Sequence, residues 1–218
     1  MQWEIDHVFL ACPEPEAPKK ALTDFGVALE QGRTHQGQGT ASLCAFFENA
    51  YLELLFPVAS DELSSEIVKP LGLRERIYWQ DTGACPFGVC FRPSEPLTEQ
   101  DSLPVECWHY TPAYVPQGLS IPIVTPRGNI NEPLVFLSTR VGRSPQRAMA
   151  RHRGTQRALS RVKIQHPAEW RPSEGVHWFA ANAFLSLCAG TEYNLELVWG
   201  NGANGQGKIA NLPLSVSW

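Results

Sequence analysis

The first 57 residues constrain this chain most, because the spacing of their apolar residues changes period twice. "WEIDHVFLAC" (residues 3–12) alternates enough to predict a strand. "PEPEAPKKALTDFGV" follows. Its prolines suit a helix start, and Ala17, Ala21, Leu22 and Phe25 form a short apolar stripe at helical spacing. Gly26 is placed to end that helix. "VALEQG" reads as a short strand and "RTHQGQGTA" as a loop. "SLCAFFEN" and "YLELLFP" read as strands joined by a tight turn at Asn49 and Ala50. The predicted order is β-α-β-β-β. Two of these strands carry a group foreign to a plain core: the imidazole of His7 and the carboxylate of Glu53.

Beyond this unit, residues 61–80 read as helical pieces broken at Pro70-Leu71-Gly72. A second strand set opens with "CPFGVCFRP" and closes with "EPLVFLS". Between them, the prolines of "VECWHYTPAYVPQGLSIPIVTP" rule out one long central strand. A polar, arginine-rich connection covers residues 140–156. A third set follows: "ALSRVKIQHP" as a strand, "FLSLCAGTEYNLELVWG" as a hairpin, "GNGANGQG" as a flexible tip and "KIANLPLSVSW" as a last strand. A short internal echo sets "NAYLELLFP" beside "EYNLELVWG" and "IDHVFLACPEPE" beside "LSRVKIQHPAEW". It places Glu196 opposite Glu53 and Arg161 opposite His7, which suggests duplicated units and an Arg161–Glu196 ion pair.

A chain of 218 residues can bury a substantial core without covalent staples. A net charge of -4 supplies no global positive field for nucleic acid. The arginines from Arg140 to Arg161 have no interleaved aromatics, so a nucleic-acid groove has little support. No apolar run reaches membrane-helix length, and no signal-peptide pattern opens the chain. The six cysteines form no CxxC pair, and several lie inside strand-like runs, which suits reduced thiols. These readings predict a cytoplasmic protein, monomer or homodimer, with neither nucleic acid nor membrane as a partner.

The motif "IDHV" on a first strand, a helix, and "LELL" on the fourth strand resembles the vicinal oxygen chelate superfamily of glyoxalases, bleomycin-resistance proteins and extradiol dioxygenases. The longer stretches "HQGQGTASLCAFFENAYLELL", "CPFGVCFRP" and "WHYTPAYVPQGLSIPI" are similar to its glyoxalase-like domain branch. The resemblance implies an α+β fold of βαβββ modules whose curved mixed sheets surround a cleft. It also implies a single compact unit over residues 1–218, with one module in about 1–57 and the remainder in about 85–218.

In metal-using members, one His on the first strand and one Glu on the fourth bind the ion, joined by two ligands from the partner module. His7 and Glu53 match that first pair, for one divalent metal among Zn, Fe, Mn and Ni. The second pair is absent: "FGVCFR" offers Gly88 and Cys90, and "EPLVFL" is apolar. Glu196 is a further candidate ligand, but its partner position carries Arg161, which repels a cation.

Glu53 is the candidate catalytic group, because desolvation raises a carboxylate towards a useful base. His35, Gln38, Trp108, His109 and Tyr110 are the candidate substrate-binding residues: a glycine-bearing loop and an aromatic run, where polar specificity meets apolar area. Plain structural roles for the same residues remain open. The functional classes are a metal-assisted lyase, isomerase or dioxygenase acting on a small oxygenated molecule; a metal-free binding or sequestering protein of the bleomycin-resistance type; and an interaction protein with a vestigial site.

Overall fold

The computed structural model describes residues 2–98, 100–138, 158–167, 170–200, 202 and 204–218. The arginine-rich connection of residues 140–156 lies outside them. The first unit follows the predicted order: β1 Trp3–Ala11, α1 Glu16–Asp24, β2 Glu30–His35, β3 Thr40–Phe46 and β4 Tyr51–Pro57. The strands reach further into "RTHQGQGTA" than its glycines suggested, leaving only residues 36–39 as a loop. A register shift between Gln31 and Thr34 absorbs the irregularity.

Short helices α2 Ser60–Leu63, α3 Leu73–Ile77 and α4 Trp79–Thr82 follow, with a 3-10 turn at Lys69–Leu71. The break at Pro70-Leu71-Gly72 is as expected. The second strand set is β5 Phe87–Pro93, β6 Trp108–Tyr110, β7 Ile121–Ile123 and β8 Leu134–Leu137.

These eight strands form one mixed sheet in the order β2-β3-β4-β1-β5-β8-β7-β6. β1 runs parallel to β4 and antiparallel to β5, and β5 runs parallel to β8. The second half therefore repeats the first, with β5 in the place of β1 and β8 in the place of β4. The fold is α+β, built on curved, unclosed mixed sheets.

The third set is β9 Leu159–Pro167, α5 Glu174–Asn182, β10 Leu185–Gly190, β11 Asn194–Trp199, β12 Gln206–Lys208 and β13 Leu214–Ser217. It forms a second sheet in the order β10-β9-β11-β13-β12. Three sequence expectations change here. β10 and β11 are no hairpin: β10 pairs in parallel with β9, and β11 lies on the other side of β9. Helix α5, absent from the expected order, supplies the crossover that parallel pairing requires. The last strand is two pieces turned at Asn211, whose φ of 61° is left-handed.

The strand directions of β10-β9-β11-β13-β12 match those of β4-β1-β5-β8-β7. The echo between β9 and β1 thus has a topological counterpart. The Glu53–Glu196 match does not, because Glu196 sits on β11, in the place of β5.

The largest buried cluster draws on both sheets: Trp3, Val8, Leu10, Leu52, Leu54, Phe87, Val89 and Phe91 from one, Val162, Ile164, Leu195 and Val216 from the other. Phe179 of α5 stacks on Phe91 at 4.5 Å and meets Trp3 edge-on at 5.7 Å. A smaller cluster, with Phe9, Leu55, Tyr110 and Ile123, lies on the other face of the first sheet, under Leu63, Leu73 and Ile77.

Candidate functional site

The placement of His7 depends on a bulge. Trp3 and Ile5 point into the main core, and strict alternation would send His7 there too. The register against β5 shifts between Ile5 and His7, leaving Asp6 as the extra residue. Val8, Leu10 and Cys12 then take the core face, while Phe9 and Ala11 join the smaller cluster on the opposite side. His7 turns to that side with them. Glu53 reaches the same side without a bulge, because its neighbours Leu52 and Leu54 are core residues.

The two side chains meet there. His7 Nε2 lies 3.8 Å from Glu53 Oε2, and His35 Nε2 lies 3.8 Å from Glu53 Oε1. Both gaps exceed hydrogen-bonding distance. Among the described residues, the Glu53 carboxylate accepts no hydrogen bond, although only 8% of the residue is exposed.

The outer nitrogen of His7 is held firmly. Nδ1 lies 2.7 Å from Asp6 Oδ1, and Arg92 donates to Asp6 Oδ2 at 3.0 Å. The ring stacks on Tyr51 at 4.5 Å and meets Phe136 edge-on at 5.4 Å. Burial opposes a charge on His7, but Cys90 and Asp6 outweigh it and carry its pKa well above the ordinary 6.5. Burial pushes the Cys90 thiol up. The Asp6 carboxylate accepts from Nδ1–H and leaves Nε2 towards Glu53. Burial likewise acts against the charge of Asp6, and His7 with Arg92 overcomes it, so Asp6 titrates below its usual range. His35 goes the other way: burial, helped by the charges of His7 and Arg33, outweighs Glu53 and lowers its pKa.

The loop of residues 36–39 is pinned from α2. Glu62 Oε2 accepts the backbone N–H of Gly37 at 2.7 Å and of Gly39 at 3.0 Å. Gly39 has a φ of 77°, and a Cβ there would lie 2.3 Å from the Ala59 carbonyl oxygen. Only glycine lets the loop lie this close to α2.

The other sequence candidates divide. Gln38 is 7% exposed and engaged at both ends: Nε2 donates to Thr40 Oγ1 at 2.8 Å, and Oε1 accepts the Tyr114 hydroxyl at 2.9 Å. The Tyr110 hydroxyl is buried with no hydrogen-bond partner among the described residues. Trp108 donates to the Thr125 carbonyl at 2.8 Å and carries the Arg127 guanidinium over its ring at 4.2 Å. His109 alternates to the opposite side, exposed and bonded to Ser120.

Glu196 stands on the second sheet, where Lys163 lies 3.2 Å from it and the Ser217 hydroxyl donates to it. The expected Arg161–Glu196 pair is not formed. Arg161 pairs in register with Val198 and donates to Ser186, while Lys163 is the residue directly across from Glu196. Sequence reasoning passed over Asp6, Arg92, Thr40 and Glu62. Asp6 was legible as the carboxylate beside His7 in "IDHV"; the others come from distant elements.

The donor set fits a divalent ion in part. Bonds of about 2.0–2.2 Å place two ligand atoms of one ion about 3–4 Å apart, and His7 Nε2 and Glu53 Oε2 meet that condition. The carboxylate–histidine contact at Nδ1 is the kind of outer support metal-bound imidazoles have. Ligand atoms of Asp6, His7 and Cys90 also lie within 4.8 Å of one another. The Arg92 charge on Asp6 disfavours a cation there, so Asp6 serves as the orienting partner. In the second half, Cys90 faces Phe136 as His7 faces Tyr51. Two residues further on, Ser138 takes the place of Glu53.

The model of the glyoxalase-like domain family matches residues 5–179. The chain belongs to the glyoxalase-like domain family. Among solved structures, a hypothetical protein from Staphylococcus aureus is similar over 99% of this chain and 98% of its own, with a TM-score of 0.61 at 11% identity. That likeness is one of fold. A Streptomyces coelicolor methylmalonyl-CoA epimerase variant in complex with 2-nitronate-propionyl-CoA aligns over 65% of this chain and 98% of its own, at 17% identity and a TM-score of 0.41. No curated protein matches the chain. No helix among the described residues is long and apolar enough to cross a membrane.

Proposed function

We propose that this glyoxalase-like chain acts on a small oxygenated molecule by proton transfer through Glu53, as an isomerase or lyase. The observation that carries this reading is the state of Glu53. It is a buried carboxylate, free of hydrogen bonds from the described residues, with an imidazole 3.8 Å from each oxygen. A buried carboxylate normally has its lone pairs occupied. Those of Glu53 are left for a guest. Oε2, with His7 Nε2, would take a divalent ion from among Zn, Fe, Mn and Ni, and Oε1 remains for the proton. Such an ion would polarise a substrate oxygen. His35, Trp108 and Tyr110 are the groups proposed to meet the substrate, and the unpartnered Tyr110 hydroxyl supports its inclusion.

Elemental analysis of protein purified without chelator tests the ion. About one equivalent is expected in wild type, falling at least tenfold in His7→Ala. A thermal-shift screen of small oxo and hydroxy compounds then tests the base. Glu53→Gln should keep the hits and lose turnover, because it keeps the shape and removes the base. Hits that survive joint replacement of His7, His35 and Glu53 would place the site elsewhere.

One observation favours a second reading, a metal-free binding protein. The repeated half carries Cys90 and Ser138 where a second His and Glu would complete a four-ligand site. Metal-free wild type that binds the same hits, with no turnover under any loading, would establish that reading instead.

A further inference from the structure

His35 stands at the end of a buried hydrogen-bond chain, and counting its protons determines which ring nitrogen carries the hydrogen. Tyr114 donates its hydroxyl proton to Gln38 Oε1 at 2.9 Å, and Gln38 Nε2 donates to Thr40 Oγ1 at 2.8 Å. Thr40 is fully buried, so its own hydroxyl proton needs an acceptor. Gln38 Nε2 is a donor and cannot serve. The remaining partner is His35 Nδ1, at 3.1 Å. Turning the Gln38 amide over would leave the Tyr114 proton without an acceptor among the described residues. His35 Nδ1 is therefore an acceptor, and the ring is neutral with its hydrogen on Nε2. That N–H is on the side of Glu53 Oε1, 3.8 Å away. His7 has the reverse arrangement, with its Nδ1–H held by Asp6.

We propose that His35 is the site's fixed hydrogen-bond donor, and that its Nε2–H binds the oxygen of a small carbonyl compound bearing an acidic C–H bond. This rests on Glu53 acting as the base. Glu53 Oε1 takes the proton from carbon. The C–H electron pair forms a carbon–carbon double bond, and the carbonyl π pair moves onto oxygen, where His35 Nε2–H holds it. Return of the proton to carbon restores the carboxylate, with no oxidant or reductant needed. A neutral imidazole suits this role, because it donates to the developing charge and keeps its own proton. Thr40, Gln38 and Tyr114 are positioning residues: they determine the tautomer and do not touch the substrate. The same count removes His35 Nε2 from the set of ion ligands, since its lone pair is replaced by a hydrogen.

Long-range proton–nitrogen correlation spectra of protein labelled with 15N-histidine test the tautomer. His35 is expected as the Nε2–H form in wild type and as a mixture of both tautomers in Thr40→Val, which removes the hydroxyl and keeps the shape. A wild-type ring protonated on Nδ1 overturns the proposal, as does an unaltered pattern in Thr40→Val. Titration with the nitronate of nitroethane, a planar enolate mimic, tests the donor role. The His35 Nε2–H resonance should move downfield, and binding should weaken about tenfold in His35→Ala. Binding that is intact in His35→Ala overturns the donor role and leaves Glu53 as the base. No binding to wild type overturns both.

Discussion

His7 and Asp6 illustrate how one neighbour decides a residue's chemistry. Asp6 holds Nδ1 and leaves Nε2 facing Glu53, and Arg92 keeps Asp6 ionised. The His7 pKa is higher folded than unfolded, so folding takes up a proton above pH 6.5. The resulting stabilisation is complete below that pH and disappears as the pH rises through the folded value. Asp6→Asn withdraws the carboxylate and should flatten this slope. It should also cost about 1–3 kcal/mol at every pH, because Arg92 loses its bond to Asp6 and keeps Glu4 and the Asn49 carbonyl. Melting temperatures from pH 6 to 9 on metal-free protein separate the two effects: the offset that persists at the alkaline end reports Arg92, and the slope reports His7. Parallel curves for wild type and variant would count against Asp6 as the group that charges His7.

At the scale of elements, the junction of β1 and β5 does most to build the site. The bulge at Asp6 turns His7 out of the main core, and Gly88 on β5 makes room for Phe9 on the same face. A Cβ on Gly88 would lie 2.0 Å from the Phe9 ring. Phe9 packs at 6.3 Å on Phe136, which in turn lies against His7. Gly88→Ala should therefore destabilise the fold by about 1–3 kcal/mol through overpacking, and adding Phe9→Leu should recover part of the loss. Urea midpoints of the single and double variants measure this; an unchanged midpoint in Gly88→Ala would show that Phe9 has another place to go. Neither the bulge nor this contact was legible in the sequence. Alternation predicts which residues share a face only while the register is unbroken.

Across the whole molecule, Phe47 against Trp199 joins the two sheets, and Phe179 is another of the residues that do so. It lies on α5, between β9 and β10 in the chain, yet its ring meets Phe91 and Trp3 of the first sheet. Phe179→Ala should cost about 3–5 kcal/mol. If both sheets share one core, wild type and variant should each melt in a single transition. Two separate transitions by calorimetry would show that the sheets unfold independently.

The sequence by itself determined the β-α-β-β-β unit, the breaks at Gly26 and Pro70-Leu71-Gly72, and the pairing of His7 with Glu53 as residues of interest. Those features rest on local chemistry: apolar period, proline and glycine geometry, and polar groups out of place in apolar strands. The glycine-bearing loop also singled out His35, which the structure brings to Glu53; only the tertiary structure decided that Asp6 orients His7 and that Lys163, not Arg161, takes Glu196. Each of those contacts depends on a bulge, a strand order or a loop anchored from another element. The α5 crossover shows the same limit, because "LCAG" and "YNLE" are close enough in the chain to suggest a hairpin. Parallel pairing of β10 with β9 was chosen by the core that α5 completes, a non-local gain that no local pattern records.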